Sequence, residues 1–594
     1  MKDLWTIKDG QIIDQSGLPA DPEHILDALD ENDGEQIRTA LPGLRFLKLP
    51  LEFVVEIDGS PPENLQLTVG VWKNGQCHPV NLTNSQVVIN NAWYPILPVS
   101  GEQVQEVLKR HDLQIGNITF GKYLRLRLDT DINHLLKDKS SVDEGEDSWS
   151  VLSAMEPPPG LQAELYPYQR SGSAVLRTLE KSDLGGLLAD EMGLGKTMQI
   201  IALLLDCSKK GSSLIIMPAS LLRNWENEIH KFAPGLTTLI HAGTRRTGVA
   251  TGFEGIDVVL CSYETAVNDW SLMEDISWNV IALDEAQAIK NPEAQRSHTI
   301  KGFECRVPIA ITGTPVENYL TDLWSIYEFI LPELLGSREL FEQDFEDTVD
   351  AAEQLGRIVA NFTIRRKVVD VAKDLPSISQ AALPFDLPLD VRRKYDEVYD
   401  PTRAFEITTT LRTLCAHSHE DFSYDSFSAS PKIARLRNMV DEIYSQGQKL
   451  LIFASFSKTI NLLRQELLLF QNAFPGSHVS ELTGQTPISD RQAIIDVFNE
   501  SNYSGALILN PDAAGKGLNI QGANHVIHFN PEWNPALTNQ ATARAYRRGQ
   551  KLPVFVSHFY YRNTVEQDVI EKAQHKRDLA EAVDFGTLEE QGGA

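Results

Sequence analysis

The sequence predicts an α/β protein built from two parallel-sheet units, with helical insertions and a β-rich accessory domain at its N-terminal end. Short apolar runs alternate with helical stretches, and this alternation occurs twice, from about residue 161 and again from about 446. Strands buried on both faces of a parallel sheet read as continuous apolar runs, with covering helices between them. In the first 138 residues, β-branched and aromatic runs are instead broken by Gly, Pro and Asn, which favours strands joined by turns.

The chain divides into six predicted parts. Residues 1–138 form the accessory domain, with strands expected in PLEFVVEI, LQLTVGVW, QVVINNAWYPILPV and ITFGKYLRLRL, and residues 139–160 form an acidic, proline-ended linker. Residues 161–320 form the first unit, with strands expected in LGGLLAD, SLIIMP, DVVLCS, NVIALDEA and VPIAITGTP. Residues 321–445 have helical periodicity and few strand signals, residues 446–582 form the second unit with strands in KLLIFASF, ALILNP and HVIHFNP, and residues 583–594 are a tail.

The composition excludes some classes of function. The 594 residues include 54 Lys and Arg against 82 Asp and Glu, a net charge of −28, which argues against coating nucleic acid or an anionic membrane through bulk charge. A local basic groove remains compatible with this charge. The five cysteines form no C-x-x-C pair, and there is no secretory signal or membrane-spanning apolar run, so we expect a cytoplasmic protein, associated with the nucleoid if it is prokaryotic.

The segment DEMGLGKT, residues 190–197, is the strongest local motif. It follows an apolar run and precedes the helical stretch MQIIALLLDC, which is the strand–loop–helix context of a phosphate-binding loop. Gly193 and Gly195 would let the backbone approach phosphate oxygens, Lys196 would neutralise the β- and γ-phosphates of ATP, and Thr197 would hold Mg²⁺. The alternative is a glycine-rich turn with a surface lysine. Asp190 stands where the strict motif has its first glycine.

Asp284 and Glu285 follow the apolar run NVIAL. An acidic pair at a strand end often caps the next helix. Beside a phosphate loop, however, it is the arrangement of nucleotide hydrolysis, in which Asp284 would bind Mg²⁺ and Glu285 would orient or deprotonate the attacking water.

From residue 162 to about 582 the chain resembles the Swi/Snf-type ATPases, a branch of the superfamily-two helicase-like double-stranded DNA translocases. The resemblance rests on these stretches, in the order of the family: LYPYQRSG (165–172), LADEMGLGKT (188–197), MPASLLRNWENEIHKFAP (217–234), SYET (262–265), LDEAQAIKNP (283–292), ITGTPVENYLTDLWSI (311–326), LLGS (334–337), IRRKVVDVAKDLP (364–376), KLLIFASFS (449–457), LTGQTPISDRQAIIDVFN (482–499), AAGKGLNI (513–520), HFNPEWNPA (528–536) and QATARAYRRGQ (540–550). Compactness and acidity favour a prokaryotic member.

The resemblance implies two RecA-like lobes with ATP between them. Gln169 matches the adenine-reading glutamine, and Gly517 matches a second-lobe position near ATP. The matched residues that couple hydrolysis to lobe movement are Thr312, Gly313 and Thr314. Arg544 and Arg547 match the arginines that reach the phosphates from the second lobe, although QATARAYRRGQ also reads as an exposed basic helix end. Tyr546, Arg548, Ala514 and the LCAHS segment (414–418) depart from the family pattern without removing a catalytic group.

The family grips duplex DNA through phosphate contacts across both lobes, which are largely sequence-independent. The candidate contact residues are Pro218, Ser220, Ser262, Tyr263, Ser455, Thr483, Gly484, Asn519 and Trp533. Trp533 would stack on nucleic acid or pack in the core. There are two basic clusters, residues 365–367 and the acid-free stretch 533–565. Residues 365–367 stand in the position of the family's inter-lobe brace, which the resemblance places within residues 321–445. Each cluster would form either part of the groove or a solvated charged surface.

The expected function is ATP-dependent translocation along double-stranded DNA, which would remodel or displace bound proteins in repair, transcription or phage defence. Two alternatives stay open: a strand-separating DNA or RNA helicase, and an ATP-binding scaffold that acts through its N-terminal domain. Residues 1–160 are the expected binding region for a protein partner.

Overall fold

The structure is a computed structural model. It describes residues 5–14, 16–30, 34–60, 63–129, 132, 134–140, 156–372, 375–400, 404–417, 424–511, 520–547 and 549–583. The chain forms two compact units: Met1–Glu146 with Leu331–Asp344, and Asp147–Ile330 with Phe345–Ala594.

The N-terminal unit mixes antiparallel sheet with helices. Its strands are β1 (Thr6–Lys8), β2 (Gln11–Ile13), β3 (Arg45–Phe46), β4 (Phe53–Ser60), β5 (Glu63–Lys73), β6 (Gln76–Pro79), β7 (Gln86–Ile89), β8 (Ala92–Pro95), β9 (Gly116–Ile118) and β10 (Leu136–Asp138). Its helices are α1 (Pro22–Asp30), α2 (Gly34–Ala40), α3 (Pro98–Arg110) and α4 (Phe120–Leu128). The larger sheet has the order β10-β4-β5-β6, with β9 paired to β5. The predicted strands PLEFVVEI, LQLTVGVW and QVVINNAWYPILPV are confirmed in β4, β5 and the β7–β8 hairpin.

The predicted strand ITFGKYLRLRL is wrong beyond its first residues. The Thr119 side chain accepts a hydrogen bond from the Lys122 amide and so begins helix α4. Tyr123 and Leu126, three residues apart, are both buried in the core of this unit. The β-branched and aromatic residues of this stretch suggested a strand, but packing of this helical face decides the conformation.

Helix α4 also packs against residues 331–344 of the same unit, which include the helix Arg338–Asp344. A Cβ atom at Gly121 would lie 2.1 Å from the Pro332 carbonyl oxygen, so only glycine permits this approach. The Thr119 hydroxyl donates to Glu333 at 2.5 Å, and Arg125 pairs with Asp344 at 3.3 Å. A short segment from the predicted helical region therefore belongs to the N-terminal unit.

The second unit contains two wholly parallel sheets, as predicted. The first has the order β13-β14-β12-β15-β16-β11-β17. Its strands are β11 (Gly186–Leu188), β12 (Ser213–Met217), β13 (Thr238–His241), β14 (Val258–Ser262), β15 (Trp278–Asp284), β16 (Cys305–Ile311) and β17 (Thr363–Ile364). The helices of this part are α5 (Pro167–Lys181), α6 (Lys196–Cys207), α7 (Leu222–Phe232), α8 (Tyr263–Asn268), α9 (Trp270–Met273), α10 (Gln295–Lys301), α11 (Leu320–Ile330), α12 (Val349–Val359) and α13 (Val368–Val371).

The second sheet has the order β18-β23-β22-β19-β21-β20. Its strands are β18 (Ile378–Phe385), β19 (Lys449–Phe453), β20 (His478–Leu482), β21 (Gly505–Leu509), β22 (His525–His528) and β23 (Val554–Tyr561). The remaining helices are α14 (Leu389–Val398), α15 (Ala404–His417), α16 (Tyr424–Ser428), α17 (Pro431–Ser445), α18 (Ser457–Leu468), α19 (Ile488–Glu500), α20 (Pro535–Thr542) and α21 (Val565–Ala582). We refer to the two sheets with their helices as the first and second lobes.

Strand β18 lies within residues 321–445, where the sequence has few strand signals. It occupies the edge of the second sheet, most of its residues are exposed or half-buried, and it contains Pro384. Proline and exposed side chains are tolerated at a sheet edge but weaken the apolar pattern that reveals a strand. The chain passes from the first sheet to the second between β17 and β18.

Within the described parts of the chain, no helix combines the length and the apolar character that crossing a membrane requires.

Candidate functional site

The predicted phosphate loop joins β11 to α6 in the first lobe. Gly193 and Gly195 have φ angles of +87° and +73°, which glycine adopts without strain. Gly195 is the residue before α6, and no side chain caps the helix there. The first amides of α6 are therefore directed at the space over the loop, which is the arrangement that binds phosphate.

Lys196 lies at the start of α6, inside this loop. Its ammonium group donates to the carbonyl oxygens of Asp190 at 2.8 Å and Glu191 at 3.4 Å. Burial lowers the pKa of Lys196, and the nearby carboxylates, with Glu285 first, act in the opposite direction. The predicted phosphate ligand is thus held beside the acidic pair rather than in solvent.

Asp284 ends β15 with both carboxylate oxygens in use. One accepts from the Trp225 indole at 2.8 Å, and the other accepts from the Glu285 amide at 3.0 Å. Burial, followed by the charge of Glu285, raises the pKa of Asp284 to about 6. A divalent cation would relieve this concentration of negative charge.

Glu285 has the left-handed φ of 54° and precedes a short 3₁₀ turn at Ala286–Ile289, which its side chain does not cap. The left-handed conformation costs a non-glycine residue about 1–2 kcal/mol. Helix capping, the alternative interpretation of the acidic pair, therefore does not explain Glu285. Such strain is concentrated at functional sites.

Glu285 is connected to the end of β16 through Gln287. The Gln287 amide donates to the Glu285 carboxylate at 2.8 Å, and the Gln287 oxygen accepts from the Thr312 hydroxyl at 2.8 Å. The Thr314 amide donates to that same Thr312 hydroxyl at 3.0 Å. The predicted coupling segment, with Gly313 at its centre, is therefore linked to the candidate catalytic glutamate through the Gln287 side chain. Gln287 itself was not predicted, although it stands in the DEAQ motif.

Arg544 and Arg547 of the second lobe approach this site. Both arginines follow α20, and both are partly buried. Burial lowers the pKa of Arg544 to about 10; Arg547 acts in the same direction and Glu285 opposes it. A Cβ atom at Gly193 would lie 3.7 Å from the Cβ of Arg547. The structure therefore brings Arg547 to the phosphate loop, and the charge of Glu285 acts on Arg544.

Gln169, the predicted adenine contact, is buried near the same loop. Its amide donates to the Leu194 carbonyl at 3.0 Å, and its oxygen accepts from the Tyr166 amide at 3.1 Å. The Tyr168 hydroxyl donates to the Leu194 carbonyl as well, at 3.1 Å. The Gln169 side chain thus supports the loop and caps the N-terminal end of α5. Its contact with adenine stays a prediction.

The basic cluster 365–367 is not a nucleic-acid surface at its two arginines. Arg366 forms an ion pair with the fully buried Asp190. Arg365 donates to the carbonyls of Ala580 and Val583 at the end of α21, at 2.8 and 3.1 Å. A groove and a solvated surface are both wrong for these two residues, because each guanidinium makes an internal contact. The inter-lobe brace implied by the resemblance stays a prediction.

Two predicted DNA contacts are also committed to the interior. Tyr263 is 2% exposed, and its hydroxyl donates to the Asp284 carbonyl at 3.0 Å. Ser262 caps α8 by accepting from the Thr265 amide at 3.1 Å. We therefore correct the expectation that these two side chains face nucleic acid.

The other candidate contacts differ in exposure. Ser220 and Gly484 are exposed, whereas Pro218, Thr483, Ser455 and Trp533 are partly buried. Ser455 donates to the Glu532 carboxylate. The Trp533 ring packs beside a buried cluster of the second lobe, with the Lys572 ammonium 5.4 Å from its centroid, which favours the core interpretation. Gly517 and Asn519 lie outside the described residues.

The described residues contain no group of three or more His, Cys, Asp or Glu side chains arranged to hold a metal ion. Mg²⁺, however, needs only one or two protein oxygens, since water and nucleotide phosphates complete its shell. The Thr197 hydroxyl on the first turn of α6 and the Asp284 carboxylate, whose pKa is raised, fit that requirement.

The fold and the site define a two-lobed α/β protein in which a phosphate loop and an acidic pair face arginines of the second lobe. A family model described as the SNF2-related domain matches residues 168–427, and one described as the helicase conserved C-terminal domain matches residues 431–549. The chain belongs to the Swi/Snf-type ATPases.

The chain is also similar to several individual proteins. The putative ATP-dependent helicase/translocase YwqA of Bacillus subtilis (strain 168) is 34% identical over 458 residues, which are 72% of this chain and 49% of that protein. A second relative is the mouse protein SWI/SNF-related matrix-associated actin-dependent regulator of chromatin subfamily A member 1. It is 29% identical over 529 residues, which are 82% of this chain and 49% of the mouse protein. The Sulfolobus solfataricus SWI2/SNF2 ATPase core in complex with dsDNA is 31% identical, with a TM-score of 0.39, covering 73% of this chain and 96% of that one. The chain spans about half the length of the curated relatives it matches.

Proposed function

We propose that the chain is an ATP-dependent double-stranded DNA translocase, which hydrolyses ATP to move along duplex DNA and to remodel or displace bound proteins. The observation that carries this proposal is the approach of the second lobe to the phosphate loop, where the Cβ of Arg547 lies 3.7 Å from the place that a Cβ atom on Gly193 would take. A site completed by the second lobe makes hydrolysis dependent on the orientation of the lobes.

The first lobe supplies the binding of ATP. Gly193, Gly195 and the first amides of α6 surround the phosphates, and Lys196 exchanges its carbonyl partners for phosphate oxygens. Mg²⁺ held by Thr197 and Asp284 would neutralise charge on the β- and γ-phosphates. Phosphate binding thus replaces contacts that the lysine already makes in this loop.

Glu285 orients the attacking water and accepts its proton. Its carboxylate is fixed by Gln287, which is in turn fixed by Thr312, so the general base and the coupling segment move together. Arg544 and Arg547 stabilise the negative charge that develops on the transferred phosphoryl group. An arginine in this position is worth about 10³–10⁵ in rate in other nucleotide hydrolases.

Duplex DNA would lie along exposed residues of both lobes, with Ser220 on the first and Gly484 on the second. Backbone contacts of this kind are largely independent of sequence and weaken as salt rises. The acidic net charge of −28 then limits binding outside the groove.

The N-terminal unit is our proposed binding site for a protein partner, which a pull-down with residues 1–160 tests.

The test of the function compares ATP hydrolysis by the purified chain with duplex DNA, single-stranded DNA and RNA at equal nucleotide concentration. We expect duplex DNA to stimulate hydrolysis most, and the Glu285→Gln variant serves as the inactive control. Absence of hydrolysis with every duplex would contradict the proposal. Greater stimulation by single strands would favour a helicase, and nucleotide binding without turnover would favour a scaffold.

A further inference from the structure

One side of the phosphate loop is held by the inter-lobe linker, which we define as residues 365–372 and 375–377 between β17 and β18. The Glu191 amide donates to the Arg366 carbonyl at 3.0 Å. In return, the Glu191 carboxylate accepts from the Val368 amide at 2.6 Å. The linker therefore begins alongside the loop that receives the phosphates before it continues to the second sheet.

The side chain of Arg366 extends this attachment into the first lobe. Its guanidinium contacts both oxygens of Asp190, at 2.8 and 2.6 Å, and also donates to the Gln199 amide oxygen at 2.7 Å. Gln199 completes the network by donating to Asp190 at 2.9 Å. A Cβ atom at Gly172 would lie 2.0 Å from the Gln199 oxygen and 2.4 Å from the Arg366 guanidinium, so a side chain at this position of α5 would displace the network.

Asp190 links this network to Lys196, the predicted phosphate ligand. Its carboxylate, which is fully buried, binds the linker arginine, while its main-chain carbonyl accepts from Lys196 at 2.8 Å. When Lys196 turns to phosphate, it gives up a hydrogen bond to the very residue that anchors the linker. This explains why an aspartate occupies the first position of the loop, where the strict phosphate-loop motif has glycine.

We propose that Arg366 is a positioning residue that couples occupancy of the phosphate loop to the orientation of the lobes. The inference rests on the proposed function, since it presupposes that the chain binds ATP and DNA. Arginine is required because its planar group forms two parallel hydrogen bonds with a carboxylate, whereas lysine presents a single point charge. Arg366→Lys therefore keeps the charge and removes the fixed geometry.

The same lobe contains a matched control. Arg177 on α5 forms the same two-bond pair with Asp206 on α6, at 2.8 and 3.0 Å. Arg177 also donates a hydrogen bond to the Glu156 carbonyl at 2.7 Å, away from the loop and the linker. Arg177→Lys therefore perturbs a similar ion pair in the same lobe without altering the proposed connection.

The experiment measures the dissociation constant of the full chain for duplex DNA, by fluorescence anisotropy, with and without a non-hydrolysable ATP analogue. The ratio of the two constants is the coupling factor, and such factors are typically about 5–150. We expect Arg366→Lys to bring the factor close to 1 while the analogue still binds. Arg177→Lys should keep the wild-type factor.

Removing one partner of a buried ion pair can prevent folding, because the other charge is left unpaired. The double variant Asp190→Asn with Arg366→Gln removes both charges and keeps groups that form hydrogen bonds, and we expect the same loss of coupling. Any of three results would overturn the inference. The coupling factor of the wild-type chain is 1, the Arg366 variants keep the wild-type coupling factor, or Arg177→Lys loses coupling as fully as Arg366→Lys does. Failure of the wild-type chain to bind the analogue or DNA would instead contradict the proposed function.

Discussion

Replacing Asp284 with Asn should stabilise the metal-free protein, and more so at high pH. The pKa of Asp284 is raised from 3.8 to about 6, so between these values the folded chain holds a proton that the unfolded chain has lost. The free energy of unfolding therefore falls as pH rises through this window. The penalty of the ionisable Asp284 is about 2 kcal/mol at pH 5 and about 3 kcal/mol at pH 8.

Asparagine avoids that penalty but has one acceptor oxygen for the two donors, Trp225 and the Glu285 amide, which costs about 1 kcal/mol at either pH. The advantage of Asp284→Asn should therefore grow by about 1 kcal/mol between pH 5 and pH 8. A domain of about 150–250 residues, the size of the first lobe, shifts by about 2–4 °C per kcal/mol, so the Tm advantage should grow by about 2–4 °C.

Thermal unfolding in EDTA at the two pH values measures this difference. Replacement of Asp275, an exposed carboxylate of the same lobe, is the control and should leave the pH dependence of Tm unchanged. Addition of Mg²⁺ and ATP should reverse the order at pH 8, because only the wild-type chain retains the full ligand set. A Tm advantage that is the same at both pH values, or smaller at pH 8, would refute the reasoning.

Lys196→Ala and Glu285→Gln should each abolish ATP turnover, the first by weakening nucleotide binding and the second while sparing it, as steady-state hydrolysis and nucleotide titration would reveal. Arg544→Ala should keep ATP affinity and lower kcat by about 10³ or more; an unchanged kcat would exclude contact with the transferred phosphoryl group. Lys432→Met should lower the stability of the second lobe by about 3–5 kcal/mol, because it leaves the buried Glu566 without the ammonium that lies 2.8 Å away. Adding Glu566→Gln to that variant should recover most of the loss in a denaturant titration, and no recovery would contradict the ion-pair argument.

The central strands and the phosphate loop were predictable because both depend on local sequence. A strand such as SLIIM in β12 is buried along its whole length, so its apolar run is uninterrupted. Edge elements lack this property, which is why β18 was missed. Helix α4 was mistaken for a strand because its buried face is defined by contacts within the N-terminal unit, including the close approach at Gly121.

The connections within the site depend on distant residues and could not be derived from composition or spacing. Asp190 and Arg366 are 176 positions apart, and nothing near either residue indicates its partner. The approach of Arg544 to Glu285 was expected only through the family resemblance. The link through Gln287 joins two recognised motifs, but its existence depends on how the ends of β15 and β16 are placed side by side.

Displacement of a third strand from a DNA triplex is the most direct test of the central claim, that ATP hydrolysis drives movement along intact duplex DNA. We expect the wild-type chain to release the third strand with ATP while the underlying duplex stays paired, and we expect Glu285→Gln to release none. Separation of a forked duplex without release from the triplex would contradict translocation and identify a helicase. Release by Glu285→Gln would show that the movement does not depend on hydrolysis at this site.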